Sequence, residues 1–571
     1  MSLTGALNSA VASLRLNQSA LQLLSSNVAH SDDPNYTKRS IIRQSLYNGP
    51  DQVGGVGIAG YANAVNASLR KQYEGLTAKD GMSGTQADYL SRVQDLLGSS
   101  TDSAGLTTLF TDFVKAWQTF QSEPDSSAAQ SEVISKGNQF AQEINRLADG
   151  IDQLDRDVAT DTDNSVKQFN DLLDQVYAVN VKLKASDPND PGHGDLIDQR
   201  DQLVRQVAQY ADVRTVERDN GSIALFTTGG LSLVDGPPQK FSYNGTNIIS
   251  VESGQPIDGQ LRDGKLKALL NFRADNSAKN QAPSADPASE VIRKLKSQLD
   301  GLVSAFTSVT GNPSTFAATY NNATQSQRIQ ASFNTTVQAT AATSQSTTVT
   351  FSGSIQSGDV FTINVNGKSF SYTATESDTS LDQIAAQLTN KINADPTVGV
   401  TATNGVGSLM LSAPGNNQSF EVQTSVNGQV PELSGSFFTG TDRYSFSVNA
   451  SLLDGTQQLK RNAASDVVGA FNNSDRNFMA AGLSATNVSY SDIVGNVIGT
   501  ASSNAKTVGD QAKYNSDTLS MTGQRYQADV GVNLDEEIAN LQVLQNAYAA
   551  SARLLTVIQN MFDTLDQAVS R

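Results

Sequence analysis

From Leu3 the positions Leu3, Leu7, Ala10, Leu14, Asn17, Leu21, Leu24 and Val28 alternate spacings of four and three, a heptad seam with one polar intruder. Ser, Asn, Gln and Ala flank the seam, so the apolar stripe is narrower than that of a core-covering helix and wants a partner helix. The pattern breaks at "SSNVAHSDDPNYTKRS". Pro34 disfavours helical geometry at Asp33, and Asn35 tolerates the left-handed conformation, so the helix is expected to end in this turn. The same rhythm returns at the far end, where Leu541, Leu544, Tyr548, Ser551, Leu555, Ile558, Phe562, Leu565 and Val569 alternate three and four. The two stripes are expected to pair, parallel or antiparallel. An isolated helix pair is marginal in water, so both ends are expected to order only when sister molecules stack on them.

Between these ends the periodicity changes several times. "RSIIRQSLYNGPDQVGGVGIAGYANA" reads as a short strand followed by glycine turns. Gly55-Val56-Gly57-Ile58-Ala59-Gly60 has the G-x-G-x-x-G spacing of dinucleotide folds, with Asp80 about twenty residues on. No apolar strand runs into Gly55, because Asn48-Gly49-Pro50-Asp51-Gln52 precedes it, and no βαβ rhythm follows. Helical patterning is expected from Tyr61 to Leu97 and again through Leu106, Phe110, Phe113, Trp117 and Phe120, with Trp117 in a core.

After Glu123-Pro124 comes the longest pattern: Val133, Gly137, Phe140, Ile144, Leu147, Ile151, Leu154, Val158, Thr162, Ser165, Phe169, Leu172, Val176, Val179 and Leu183. A helix of about 50 residues would be roughly 75 Å long, a rod rather than a packed globule. Its aspartates Asp149, Asp152, Asp155, Asp157, Asp161 and Asp163 are expected to form a solvated face. A calcium loop starting at Asp161 fails, since Val166 and Leu172 stand where Gly and Glu are needed.

Beyond Pro188 and Pro191 a short helix with Leu196, Leu203 and Val207 inward is followed by hairpin signals at Asp219-Asn220-Gly221 and Gly229-Gly230. Val291, Leu295, Leu299, Leu302 and Phe306 mark another helix. From Thr347 to Gln423 the order is strand, turn at Asn366-Gly367, strand, helix from Leu381 to Ile392, strand, strand. "RYSFSVNASLL" reads as β, and Ile493, Val497, Ala501, Val508, Ala512 and Leu519 return to helix.

The predicted fold class is mixed and multi-domain, with helical coiled-coil terminal and inner domains and β-rich or α+β outer domains inserted between them. The expected boundaries are 1–40 with 530–571 for the terminal coiled coil, 41–200 with 454–529 for a long-helix bundle, 201–346 with 424–453 for a β-rich outer domain, and 347–423 for a small α+β module.

The formal charge is -17, from 57 acidic and 40 basic residues, with no basic block to neutralise phosphates, so nucleic acid is a poor partner. Only 17% of residues are charged, against about a quarter in an ordinary soluble domain. The surface is therefore expected to be Ser, Thr, Asn and Gln. With no cysteine and two histidines, His30 and His193, there is no metal-ligand spacing and no recognisable nucleophile context, so no metal, cofactor or catalytic residue is assigned. Abundant carboxylates leave a glycosidase reading open on spacing alone. The first residues lack a basic and apolar leader, so export without a cleaved signal is the expectation, and no apolar run is long enough to span a bilayer.

"LSSNVAHSDDPNYTKRS" resembles the Asn-x-x-Asn-x-x-Thr-Pro-Gly-Tyr motif of bacterial flagellar rod, hook and hook-associated proteins, carried here by Asn27, Pro34, Asn35 and Tyr36. It departs at His30, Asp33 and Asn35, where the motif has Asn, Thr and Gly. "GVNLDEEIANLQVLQNAYAASARLLTVIQNMFDTLDQAV" is similar to the C-terminal helix of the same proteins. "GLTTLFTDFVKAWQTFQSEPDSSAAQSEVISKGNQFAQEI", "LIDQRDQLVRQVAQYADV" and "LSLVDG" look like the hook-associated protein 1 family. The resemblance spans roughly 1–240 and 485–571; the 347–423 module looks like the β-rich insertions of flagellin-type outer domains.

The resemblance implies a structural subunit exported by the flagellar type III route and placed outside the cell at the hook-filament junction. It also implies a ring of self-contacts, hook protein and a second hook-associated junction protein as neighbours, and an export chaperone on the C-terminal helix. The subunit interface would then be Leu3, Leu7, Leu14, Leu21, Leu24, Val28, Leu541, Leu544, Tyr548, Leu555, Ile558, Phe562 and Leu565. A hook or distal-rod subunit is the nearest alternative, distinguished by the long helix, and a flagellum-associated peptidoglycan hydrolase is the alternative of another class.

Overall fold

The computed structural model describes residues 3–47, 53–98, 105–188, 190, 192–274, 286–310, 315–325, 330–337, 339–340, 342–427 and 430–569. Helix α1 (Leu3–Ala29) leads into a hairpin of β1 (Arg39–Tyr47) and β2 (Val53–Asn63), then α2 (Ala67–Leu97), α3 (Leu106–Ser122), α4 (Ser127–Ala185) and α5 (His193–Tyr210). Five short strands follow, β3 (Val213–Glu217), β4 (Ile223–Thr227), β5 (Ser232–Val234), β6 (Phe241–Tyr243) and β7 (Ile248–Ser250), then α6 (Lys265–Arg273), α7 (Val291–Thr307) and α8 (Phe316–Asn322). The next region holds β8 (Gln330–Val337), β9 (Ser346–Ser352), β10 (Val360–Val365), β11 (Lys368–Thr373), α9 (Leu381–Asn393), β12 (Thr401–Gly405), β13 (Ser408–Ser412) and β14 (Val422–Asn427). The chain finishes with β15 (Phe438–Thr439), β16 (Ser447–Val448), α10 (Ala450–Leu453), α11 (Ala463–Asn472), β17 (Arg476–Ala480), β18 (Leu483–Val488), α12 (Tyr490–Val530) and α13 (Leu534–Val569).

Two compact units emerge: Met1–Arg92 with Leu154–Ile292 and Ser503–Arg571, and Val93–Gln153 with Arg293–Ser502. The first has an apolar core in which Phe169, Leu173, Val176 and Leu183 of α4 meet Val204 and Val207 of α5 and Ile223, Leu225 and Leu233 of the antiparallel sheet β3-β4-β5. The second is built on aromatic rings. Phe113 lies 5.4 Å from Phe438 and 5.5 Å from Phe437, and Trp117, fully buried, stands 5.7 Å from Phe437.

Within the second unit the inserted region carries two antiparallel sheets, β11-β10-β14 and β12-β13-β9-β8, packed on α9. Asn366 and Gly367 both take positive φ, as a two-residue hairpin with primed-turn twist requires. Strand β8 lies before the range 347–423 read from the sequence and β14 runs past its end, and the two complete these sheets. Ser380 caps α9 in a reciprocal capping box with Gln383.

Helix α4 runs for 59 residues, and every position of the long sequence pattern is buried except Leu172, which is half-covered beside the fully buried Leu173. Four expectations are corrected. The aspartates of α4 are not simply solvated: Asp152 pairs with Lys296 at 2.9 Å and accepts from Tyr444 at 2.6 Å, Arg273 pairs with Asp155, Arg92 lies 4.0 Å from Asp157, and Tyr89 donates to Asp161. A long helix carries a second ring of positions beside its apolar stripe, and neighbouring elements supply cations and hydroxyls to it.

Gly55 to Gly60 are not turns but the body of β2; the run 48–52 lies outside the described residues. A Cβ on Gly55 would stand 3.1 Å from Ala12 Cβ, so the glycine lets the strand lie against α1. Tyr61 to Asn63 belong to β2, and the following helix starts only at Ala67, where Asn66 Oδ1 accepts from the Leu69 amide. "RYSFSVNASLL" forms a turn, two residues of strand and the short α10, because Asn449 caps a helix there instead of continuing the strand.

Candidate assembly interface

The turn after α1 is organised by one side chain. Asn27, buried, donates through Nδ2 to the Arg39 carbonyl at 3.0 Å, and its Oδ1 accepts from Tyr36 Oη at 2.9 Å and from the Arg39 amide at 3.3 Å. Asp33 Oδ1 accepts from the Asn35 amide at 2.9 Å, closing an Asx turn over the exposed Pro34. The expectation of a left-handed Asn35 is corrected: it is not among the residues with positive φ, and its Oδ1 instead accepts from Arg205 at 2.8 Å. His30 stacks on Tyr36 with centroids 4.8 Å apart, and the Arg39 guanidinium covers the same tyrosine at 4.6 Å.

Past the turn the chain meets an acidic face of α5. Arg39 Nη2 donates to Asp195 at 2.6 Å and Asp198 at 2.9 Å, while Thr37 Oγ1 and Asn63 Nδ2 donate to Asp198 at 2.6 and 3.2 Å. Burial alone would lower the Arg39 guanidinium, but the hydrogen bonds it donates to Asp195 and Asp198 carry it above its ordinary value. One turn on, Arg70 reaches Asp201 at 3.3 Å and Glu217 at 3.1 Å, and Arg200 reaches the same two carboxylates at 2.7 and 2.9 Å. The sequence reading missed this network. Its signal was the charge-rich run "HGDLIDQRD" on a helix whose apolar residues were counted alone.

Glu74, 3% exposed, sits beside this network 3.9 Å from Arg70 Nε, too far for a hydrogen bond. Burial therefore outweighs the pull of Arg70 and raises its carboxyl from 4.5 to about 7. The folded chain holds this proton to about pH 7 while the unfolded chain loses it near 4.5, so stability falls as pH rises through that window. A gap of this size corresponds to about 3 kcal/mol as an upper bound. Glu74→Gln should raise the melting temperature at pH 8 and leave it unchanged at pH 4; a lower melting temperature at pH 8 would mean that the Arg70 pair dominates.

The terminal helices meet in the single chain. Asn27 Nδ2 is 3.4 Å from Glu537 Oε2, and Ser551 Oγ is 3.3 Å from Ser13 Oγ and 3.4 Å from Asn17 Nδ2, so α1 and α13 run antiparallel. Lys38 pairs with Glu536 at 2.8 Å and Glu537 at 3.1 Å, tying the turn to the first turn of α13. Leu24 and Ile558 are buried. Leu7, Leu14, Leu21, Val28, Leu541, Leu544, Leu555 and Phe562 are half-buried, Tyr548 and Leu565 are exposed, and the side chain of Leu3 lies outside the described residues. The two stripes, expected to pair, thus face each other within one chain, and each is covered in part by the other.

What stays uncovered is a stripe of which the sequence reading singled out only Leu565. Val543, Leu554, Val557, Met561 and Leu565 are each more than half exposed. With Ala547 and Ala550 they again step by four and three, and Val543, Leu554, Val557 and Met561 each sit one residue before a member of the first seam, about 100° round the helix. A cavity of about 290 Å³ adjoins its start, lined by Leu23, Leu24, Ile41, Arg43, Val543 and Leu544 among others. Among the described residues no cluster could hold a metal ion and no helix is long and apolar enough to cross a membrane.

Residues 90–309 match the family model described as the flagellar hook-associated protein FlgK helical domain, and residues 524–568 match the C-terminal model of flagellar basal body rod FlgEFG proteins. The chain is 24% identical over 593 residues to flagellar hook-associated protein 1 of Escherichia coli K12, covering 98% of each. It is likewise 24% identical to the protein of that name from Salmonella typhimurium LT2, over 98% of this chain and 99% of the relative. A match to the Bacillus subtilis protein is 23% identical over 39% of this chain and 46% of that one. The solved structure of the flagellar hook junction protein FlgK from Burkholderia pseudomallei aligns at 15% identity and a TM-score of 0.44, covering 80% of this chain and 99% of that one.

Proposed function

We propose that the chain is a member of the flagellar hook-associated protein 1 family, structural components of the flagellum rather than enzymes, and that it joins hook to filament by packing α1 and α13 against neighbouring subunits. The observation that carries this reading is the outward stripe of α13. Five large apolar side chains spaced along one helical face are a contiguous patch of the kind that marks an interaction site. Their heptad spacing fits a further helix, so the terminal pair becomes part of a coiled-coil layer once subunits stack.

In this reading 1–40 with 530–571 form the inner layer, 41–200 with 454–529 the long-helix layer, and 201–346 with 424–453 and the 347–423 module face outward. The subunit is exported through the type III route, which a cysteine-free chain suits because no disulfide can obstruct passage as an unfolded chain. Before export a chaperone would cover the apolar C-terminal helix. Outside, the neighbours are copies of the chain in a ring, hook protein on one side and a second junction protein on the other.

Removing residues 530–571 should yield a chain whose remaining core still folds but which cannot join hook to filament. Normal swimming of a strain carrying only the shortened chain would refute the reading.

A further inference from the structure

We infer that Arg39, seated against Gly194, is the positioning residue that sets how the α1–α13 pair stands on α5, and hence the direction in which the outward stripe is presented; this rests on the assembly reading above. Helix α1 packs chiefly on α13 and on the hairpin β1–β2. Among the described residues, the core built by α4, α5 and the sheet β3-β4-β5 contains none of 1–63 and none of α13. Polar contacts bridge the two: Arg39 to Asp195 and Asp198, Thr37 to Asp198, Asn63 to the Gly194 carbonyl at 3.3 Å, and Arg205 to Asn35.

Greasy contacts tolerate sliding, whereas charge-assisted hydrogen bonds fix distance and angle, and a planar guanidinium bridging two carboxylates fixes both most tightly. Gly194 makes the seat. A Cβ there would stand 2.6 Å from Arg39 Nε, 3.0 Å from Arg39 Cζ and 2.7 Å from Asn63 Oδ1. Glycine is a poor helix former. Its place in the first turn of α5 follows from the guanidinium lying against it.

The test is amide hydrogen exchange on the full-length chain with Arg39→Lys, Gly194→Ala and both together. Each single change should speed exchange about tenfold or more in 3–29 and 534–569 while leaving α7 unchanged, since the opening is local. The double variant should be no worse than either single one, because both remove the same contact. Independent, additive effects overturn the proposal, as does unchanged exchange in the terminal helices. Faster exchange in every helix also overturns it, since Arg39 would then support the whole fold. Flagellar joining separates the two ideas: loss on deleting 530–571 with normal joining by both single variants leaves the assembly reading intact and removes the clamp.

Discussion

Val557→Asp or Met561→Asp on the outward stripe of α13 should abolish joining of hook and filament while the melting temperature of the isolated chain hardly moves. Both side chains are more than half exposed in the single chain, so a carboxylate there stays solvated until a neighbouring helix covers it. Covering it then strands an unpaired charge, at a cost of roughly 4 kcal/mol or about three orders of magnitude in association. Leu14→Asp and Leu555→Asp make the informative contrast. Those positions are half-buried where α1 meets α13, so the same charge should lower the melting temperature as well as assembly. Swimming by a Val557→Asp, Met561→Asp strain at the normal rate would show that the stripe is not a contact.

Phe113→Ala should cost about 3–5 kcal/mol in the second unit, the range for truncating a buried phenylalanine. Phe113 is fully buried, and six rings surround it: Trp117 and Phe140 at 6.3 Å, Phe316 at 6.0 Å, Phe471 at 5.9 Å, Phe437 at 5.5 Å and Phe438 at 5.4 Å. Those partners come from α3, α4, α8, α11 and β15 with the residue before it, so none can relax into the space without moving an element. Trp117, the sole tryptophan, reports the change directly, and its emission should shift to the red in denaturant well below the wild-type midpoint. Val406, 91% exposed at a hairpin tip, is the control: Val406→Ala should fall within about 0.5 kcal/mol of wild type. Equal stability of the two variants would disprove the aromatic core.

How much of this was legible beforehand depended on the range of the forces involved. The long α4 was visible because its stripe holds fifteen successive positions without a proline, and periodicity over that length leaves no competing period. The hairpin β10–β11 was visible because Asn366-Gly367 is a local turn signal between alternating strands. β2 was not, because Gly55 is explained by the closeness of Ala12 in α1, a contact no local rule contains. Asn35 illustrates the same limit. Its residue type allowed a left-handed turn, yet Arg205, 170 residues away, offered a partner that made another geometry better.

The sequence by itself carried the likeness to hook-associated protein 1, the helical ends, the long central helix and the absence of cysteine chemistry, because these follow from motif, period and count. Only the tertiary structure decided that the first seams face each other in antiparallel order, that a second stripe is left outward, and that Arg39, Asp198 and Gly194 meet at one seat. A heptad says that a helix wants company and is silent about which face is filled first. Buried charges are worse still for sequence reading, since Arg39 and Asp198 look like ordinary surface residues until folding removes the water from both and leaves each as the other's partner.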